Sequence, residues 1–187
     1  MNKMNKENEL AKLHKKLYKI LTEDAFTVFE IPPNFDLMSA STPLNNKLHE
    51  LQKKFHPDNW TSNPSIYGLI TRVSSHINSC YQELKNPLSR SLLLLKLNGF
   101  HLDLAKNTQM PQAFLFEQME FHELLDEAAN DCDKLEQLEQ NLENKQKTVI
   151  EELGSLFNQK QFEQALELTK QLSFYQKLAD LISRQYP

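Results

Sequence analysis

Glycine is scarce in this sequence, which contains only three glycines among 187 residues. Leu, Glu, Gln and Lys are abundant instead, and all four have high helix propensity. With so little glycine, the chain has no Gly-rich loop of the kind that cradles a phosphate group. The composition therefore predicts an all-α protein and disfavours a nucleotide-binding motif.

Cysteine is almost as rare, and the two cysteines are far apart at Cys80 and Cys132. Neither belongs to a CxxC pair, so the sequence supports neither a zinc site nor a disulfide framework. Two lone thiols in a chain of this length indicate a reducing compartment.

Long apolar runs are also missing. The longest extends from Leu92 to Leu95, far short of the ~20 residues that a membrane-spanning helix needs. The first residues lack the apolar core of a signal peptide. They also contain Glu7 and Glu9 but no Arg, which fits a mitochondrial presequence poorly. We therefore expect a cytoplasmic protein without a membrane partner.

Motifs of catalysis are absent from the sequence as well. There is no HExxH and no recognisable nucleophile motif, so we expect neither an enzyme nor a bound metal or cofactor. A metal-dependent enzyme remains a distant alternative. The net charge of -4 argues against nucleic acid as a partner. Residues 1–60 are rich in Lys and residues 113–152 in Glu, which fits two different protein-binding surfaces.

Helical periodicity indicates several helical segments in the first half of the chain. Residues 1–24 carry leucines at helical spacing among many lysines, and we interpret them as a solvated basic helix or a flexible arm. Ser41 and Thr42 are cap candidates before Pro43, and an apolar stripe then follows at Leu44, Leu48, Leu51 and Phe55. A stronger stripe recurs from Ile66 to Leu84, and a short helix is predicted over 88–97.

The second half predicts three further helices, over about 111–128, 131–157 and 161–185. Residues 99–110 have no clear periodicity and are interpreted as a linker. Short connections between long helices favour an antiparallel bundle. We therefore predict a first domain over 25–98 and a three-helix domain over 111–187.

The tripeptide His56-Pro57-Asp58 lies at the turn between the two helical stripes of the first domain. Pro57 restricts the backbone, so an imidazole and a carboxylate would be held on an exposed loop. An antiparallel helical hairpin with this loop is typical of a J-domain, the module that stimulates ATP hydrolysis by DnaK-type chaperones. The neighbouring Lys47, Lys53 and Lys54 would steer an acidic partner surface toward the loop.

The helix over 111–128 carries more apolar surface than one buried face needs. Phe114, Phe121, Leu125 and Ala128 can form an inward stripe. A different side of the helix presents three apolar residues beside three carboxylates: Leu115, Phe116, Met119, Glu120, Glu123 and Glu127. An apolar patch rimmed by acidic residues is typical of a protein-docking surface. The alternative is that Leu115 and Met119 pack under the linker or the last helix.

The sequence resembles the HscB family of J-domain co-chaperones over residues 26–184. The resemblance is carried by five stretches: FTVFEIP, LHELQKKFHPDNW, SSHINSCYQELKNPLSRSLLLLKLNGF, AFLFEQMEFHELLDE and QLSFYQKL. It implies an L-shaped, all-α protein that serves iron–sulfur cluster assembly. The implied partners are the chaperone HscA, through the J-domain, and the cluster scaffold IscU, through the C-terminal bundle. The scaffold surface implied by the family adds Phe174, on the last helix, to the six residues named above.

Two features depart from the family pattern. Asn59 follows the tripeptide where J-domains usually have Lys. Residues 1–22 are additional to the compact bacterial pattern, which they precede in the sequence. The predicted function is that of an adaptor that brings the scaffold to the chaperone and stimulates its ATPase. The alternatives are a J-domain co-chaperone for a different client and a non-catalytic helical interaction protein.

Overall fold

The protein is all-helical throughout the part of the chain that the structure describes. This computed structural model describes residues 3–37, 41–104, 110–128 and 131–186, with side chains from residue 9 onward except those of 41–43. No strand occurs in these ranges, and the all-α prediction is confirmed. None of the helices in these ranges has the length and apolar character that crossing a bilayer requires. The chain forms two compact units, residues 1–86 and 87–187, and each is described by itself.

Within its described residues, 3–37 and 41–86, the first unit contains four α-helices and one 3-10 helix. They are α1 (Lys3–Thr22), α2 (Ala25–Phe29), α3 (Ser41–Phe55), the 3-10 helix Pro57–Trp60 and α4 (Pro64–Lys85). The predicted Ser41 and Thr42 caps lie outside the described side chains, although α3 does begin at Ser41.

Helices α3 and α4 form an antiparallel hairpin. The Tyr81 hydroxyl donates to Asn45 Oδ1 at 2.9 Å, and the Gln52 amide donates to Asn78 Oδ1 at 3.0 Å. Asn45 precedes Gln52 on α3, whereas the partner of Asn45, Tyr81, follows the partner of Gln52 on α4. The two helices therefore run in opposite directions. The hairpin that the sequence predicts is therefore present.

The core of the first unit is built on the apolar stripe of α4. Seven of its residues are buried: Ile66, Leu69, Ile70, Val73, Ile77, Cys80 and Leu84. They share the core with buried aromatic rings from other elements: Phe26, Phe29, Phe35 and Phe55. Asp24 caps the start of α2, and its carboxylate accepts the backbone N–H groups of Phe26 and Thr27 at 3.0 and 3.2 Å.

Helix α1 belongs to this core, and our interpretation of residues 1–24 as a solvated or flexible arm is wrong at Leu17. The Leu17 side chain is fully buried, and α1 packs against α4. The sequence pattern of α1 is compatible with either state, because a lysine-rich helix with a narrow apolar stripe can be solvated or can bury that stripe.

The second unit contains α5 (Pro87–Leu97), α6 (Gln112–Glu127), α7 (Cys132–Asn158) and α8 (Phe162–Ser183). The last three match the predicted helices to within two residues at each end. Helices α7 and α8 form a close pair whose interior is filled by buried apolar side chains: Leu135, Leu138, Leu142, Val149, Leu153, Ala165, Leu172, Leu178 and Ile182. Helix α6 is attached to this pair by Phe114, Phe121, Leu125 and Ala128, the inward stripe that the sequence predicts.

Helix α5 packs with the second unit, whereas the sequence assigns it to a domain over 25–98. Its buried Ser91 hydroxyl is hydrogen-bonded to the buried Thr169 hydroxyl of α8. A contact between residues so far apart in sequence leaves no local pattern. The described part of the predicted linker, 99–104, has no helix and begins at Gly99, whose φ of 86° suits a helix terminus. Residues 105–109 of that linker lie outside the described residues.

Candidate partner-binding surfaces

The His56-Pro57-Asp58 tripeptide forms an exposed and locally ordered loop. His56 ends α3 with an extended backbone, and Pro57 opens the 3-10 helix at its first position. The Asn59 backbone N–H donates to the His56 carbonyl at 3.1 Å, and the Thr61 hydroxyl donates to the Asp58 carbonyl at 3.3 Å. The loop is therefore held by its own backbone while its side chains reach solvent.

The hydrogen bond at Nδ1 of His56 identifies the tautomer that the neutral ring adopts in this loop. Nδ1 accepts the backbone N–H of Asp58 at 3.3 Å, so the ring proton of the neutral form is on Nε2. An Asp58 carboxylate oxygen lies 3.7 Å from the same Nδ1 atom, and the two would form an ion pair only if the ring were protonated. The Asp58 side chain is 81% exposed, so its carboxylate can accept an Arg contact from a partner.

The three lysines predicted to lie beside the loop differ in exposure and in whether their ammonium groups are ion-paired. Lys53 and Lys54 are exposed, and the Lys54 ammonium lies 5.4 Å from the centre of the Phe55 ring. Lys47 is ion-paired with Glu30 and lies 3.7 Å from Glu50. The Glu30 pairing raises the pKa of Lys47 and lowers the pKa of Glu30. Lys53 and Lys54 are therefore the more available charges of this face, whereas the sequence analysis named all three lysines together.

Asn59, which replaces the usual Lys, has a structural contact in this loop. Its side-chain amide donates to the backbone carbonyl of Lys53 at 2.9 Å. This bond satisfies one of the carbonyl groups left open at the end of α3. The sequence gives no indication of it, since the partner is a backbone atom six residues away.

Helix α6 presents an exposed apolar face in the second unit, which we call the α6 face. Phe116 is 61% exposed, Met119 59% and Leu115 43%, so these residues do not pack under the linker or the last helix. Glu120, Glu123 and Glu127 are exposed beside them, as the sequence predicts. Leu124 is also exposed, at 41%, and was not predicted.

Phe174 departs from the prediction that it would be exposed like the residues of the α6 face. It is half-buried, and its ring meets that of Phe114 edge-on with 5.5 Å between centroids. The His122 ring lies 6.3 Å away. Phe174 therefore contributes to the attachment of α6 as well as to the surface beside it.

Glu117 is a residue of this region that the sequence analysis missed. Its Oε1 atom accepts the Tyr175 hydroxyl of α8 at 2.8 Å and the Lys145 ammonium of α7 at 2.7 Å. Burial, together with this hydrogen bond, raises the pKa of Tyr175 above its usual range. One carboxylate thus joins all three helices, and it fixes the rotation of α6 that turns Phe116 and Met119 outward.

Metal-binding clusters are absent from the described ranges of the chain, where no three His, Cys, Asp or Glu side chains come together to hold an ion. Cys80 is buried in the first unit and Cys132 is exposed in the second.

Comparisons with known proteins identify both units. Residues 110–183 match the family model described as the HSCB C-terminal oligomerisation domain. The Neisseria meningitidis protein named Co-chaperone protein HscB homolog is 33% identical over 161 residues, which cover 84% of this chain and 96% of that protein. The Vibrio vulnificus protein of the same name is 34% identical over 161 residues, which cover 84% of this chain and 93% of that protein.

Solved structures agree with these sequence matches. The crystal structure of human co-chaperone protein HscB is similar with a TM-score of 0.79 and 29% identity, covering 87% of this chain and 82% of that one. The chaperone HscB from Vibrio cholerae has a TM-score of 0.74 and 28% identity, covering 87% and 96%. A helical hairpin with an exposed His-Pro-Asp loop, followed by a helical bundle, defines a J-domain co-chaperone. The chain belongs to the HscB family of co-chaperones.

Proposed function

We propose that the protein is an adaptor of iron–sulfur cluster assembly that brings the scaffold protein IscU to the DnaK-type chaperone HscA and stimulates its ATPase. The observation that carries this proposal is the ordered, exposed loop at His56, Pro57 and Asp58, in a chain that belongs to the HscB family. The protein supplies binding surfaces and is not itself the enzyme. Its expected location is the cytoplasm.

The chaperone contacts begin with electrostatic attraction. The ammonium groups of Lys53 and Lys54 attract acidic side chains of the chaperone and orient the encounter. The loop then contacts the chaperone through the Nε2–H group of His56 and the carboxylate of Asp58. Pro57 contributes by limiting the backbone conformations of the loop before contact. Lys47 supports this face mainly by holding Glu30 in an ion pair.

The scaffold contacts are formed by the α6 face. Burial of Leu115, Phe116 and Met119 against an apolar surface of IscU provides the main attraction, at ~25 cal/mol for each Å² removed from water. Glu120, Glu123 and Glu127 form an acidic rim that selects a basic partner surface. Phe174 borders this region and supports it through its contact with Phe114.

The two surfaces lie on one chain, and this connection couples the two binding events. When HscA holds the first unit and IscU holds the second, each partner is kept at a high local concentration near the other. The scaffold is thereby presented to the chaperone while ATP hydrolysis is being stimulated.

The proposal is tested by steady-state ATPase assays of the cognate DnaK-type chaperone, with and without this protein and the scaffold. The wild-type protein should stimulate hydrolysis, and the scaffold should increase the stimulation further. His56→Gln should abolish stimulation because glutamine cannot reproduce the imidazole. Scaffold binding should persist because position 56 is far from the α6 face in sequence. Full stimulation by His56→Gln would contradict the assignment of the loop.

A further inference from the structure

A cleft lies between α6 and α8, along one edge of the α6 face. Gln118 lines it from α6, and four residues line it from α8: Lys170, Ser173, Phe174 and Lys177. Its volume is about 190 Å³, several times the ~30 Å³ that one water molecule occupies in the liquid. The Phe174 ring is the apolar member of this set, and the other four side chains all carry hydrogen-bond donors.

The cleft is continuous with the α6 face. Gln118 follows Leu115 by three residues, so the two side chains are neighbours on one side of the helix. His122 follows Gln118 by four residues and lies on the same side. Its ring is 6.3 Å from that of Phe174, which brings this side of α6 next to α8. A partner bound on Leu115 would therefore also cover the opening of the cleft.

The available charge of the cleft is positive and belongs to Lys177. The Lys170 side chain is only 11% exposed, and its ammonium is ion-paired with Glu167 at 2.8 Å, so its charge is balanced locally. Lys177 is exposed, and no carboxylate among the described residues lies within ion-pair distance of it. Its ammonium group is therefore available to an anionic group that enters the cleft.

The carboxylates of the α6 face lie on the other edge of that face. Glu120 follows Gln118 by two residues, which is more than half a turn around the helix. Glu127 follows Glu120 by nearly two turns and lies on the same side as Glu120. The exposed side chains of Leu115 and Met119 occupy the surface between these carboxylates and the cleft. The whole surface therefore has an acidic edge, an apolar centre and a basic edge.

We propose that the cleft binds an Asp or Glu side chain of the scaffold protein, with Lys177 as the main ionic contact. The Gln118 amide and the Ser173 hydroxyl can donate hydrogen bonds to the same carboxylate. This inference rests on the proposed binding of IscU by the α6 face. A surface with opposite charges on its two edges fits its partner in one orientation, because reversal would bring like charges together. The cleft thus determines the direction in which the scaffold docks.

The test compares Lys177→Gln with Lys147→Gln by isothermal titration of the full chain with IscU. Each variant removes one positive charge from the second unit. Lys147 is exposed and follows Lys145 by two residues. Since Lys145 contacts Glu117 of α6, Lys147 lies on the other side of α7. Lys177→Gln should raise the Kd about threefold, within the range that one exposed ion pair contributes. Lys147→Gln should leave the Kd at the wild-type value, and so should Lys177→Arg, which keeps the charge.

The direction of the change distinguishes the two kinds of scaffold surface. A surface that is basic throughout would be repelled by Lys177, so Lys177→Gln would lower the Kd. Salt provides a second readout, because the Debye length falls from ~10 Å at about 0.1 M to ~3 Å at about 1 M. Over this range the Kd of Lys177→Gln should rise less steeply than that of the wild type, since one attractive pair is missing.

A melting curve separates this role from a structural one. Lys177→Gln should melt at the wild-type temperature because the side chain is exposed and has no ion pair to lose. If its melting temperature fell, Lys177→Arg would decide: recovery of stability without recovery of affinity would overturn the inference. An unchanged or lower Kd in Lys177→Gln would also overturn it, as would an equal rise in Lys147→Gln.

The outcomes also distinguish this inference from the proposed function. If the wild-type protein does not bind IscU, the proposed function fails and the inference fails with it. If the wild type binds, and Phe116→Ala weakens binding while Lys177→Gln does not, the α6 face is retained and only the inference fails.

Discussion

The two cysteines of this protein show how strongly the reactivity of a thiol depends on its surroundings. Cys80 lies in the core of the first unit, and burial is the main cause that raises its pKa to about 11. Cys132 is exposed at the start of α7. Since the thiolate is the reactive form, Cys80 is both inaccessible and almost fully protonated near neutral pH.

We predict that iodoacetamide at pH 8 modifies Cys132 rapidly and Cys80 only after unfolding. A thiol with this pKa is about 0.1% ionised at that pH. The measurement is mass spectrometry after short exposure, with Cys132→Ser as the matched control. That control should stay unmodified in the native state and react in denaturant. Equal rates at the two cysteines in the native protein would contradict the burial of Cys80.

The raised pKa of Cys80 also makes the stability of the folded state depend on pH. The folded state holds the thiol proton to higher pH than the unfolded state, whose thiol has the ordinary value of 9.0. The folded state is therefore destabilised progressively as pH rises from about 9 to about 11. Cys80→Ala should weaken this alkaline effect, and melting curves at pH 8 and pH 10.5 would detect the difference.

Among the elements, α6 is the helix whose two sides have different roles, one in packing and the other in the proposed scaffold binding. Its inward stripe attaches it to α7 and α8, and Glu117 adds a polar connection to both. The apolar residues of the α6 face are exposed instead. Replacement of one side should therefore affect binding and replacement of the other should affect stability.

We predict that alanine at Leu115, Phe116 and Met119 together abolishes detectable scaffold binding and changes the melting temperature little. Residues at the centre of such interfaces commonly contribute about 2 kcal/mol or more each. Isothermal titration and a melting curve on the same variant supply the two readouts. Retained affinity would refute the α6 face as the scaffold surface.

Phe174→Ala serves as the contrasting variant because its ring packs edge-on against Phe114. We expect a measurable loss of stability, on the order of 1 kcal/mol beyond any loss of binding, from the broken aromatic pair. A melting temperature equal to that of the wild type would show that the ring contributes to the surface alone.

Helix α1 leads to a prediction opposite to the one that its sequence favours. A solvated arm would be dispensable, but Leu17 is fully buried against the core. We expect a chain that starts at Asp24 to lose stability, since removal of a buried leucine side chain costs about 2–5 kcal/mol. The measurement is denaturant unfolding of the shortened chain, with Leu17→Ala in the full chain as the matched control. An unchanged midpoint in both would restore the view of α1 as a dispensable arm.

The elements also show which kind of structural information the sequence contains. The stripe of α4 and the inward stripe of α6 were predicted because burial repeats at helical spacing along one segment. The pairing of Lys47 with Glu30 and of Glu117 with Tyr175 could not be predicted in this way. Each joins residues that are distant in sequence, so only the packing of whole helices brings them together. The same reason explains why the packing of α5 with α8 was missed.

At the scale of the whole molecule, the two proposed binding surfaces reside in two separately compact units. Such an arrangement allows the two activities to be lost independently. The triple alanine variant of the α6 face should stimulate the chaperone normally in the absence of scaffold, and only the additional stimulation by scaffold should vanish. His56→Gln should show the reverse pattern. Loss of both activities in either variant would show that the units do not act independently.

The hydrogen bond between the Asn59 side chain and the Lys53 carbonyl has a thermodynamic consequence for the proposed chaperone binding. A lysine in this position would add one charge on a long flexible side chain in place of this short amide contact. Asn59 instead ties the loop to the helix, so less conformational entropy remains to be lost when the chaperone immobilises it. Asn59 thus provides less long-range attraction than a lysine would, but it orders the loop before binding. Association with the chaperone should therefore depend less on salt, and lose less conformational entropy, than that of a relative with lysine.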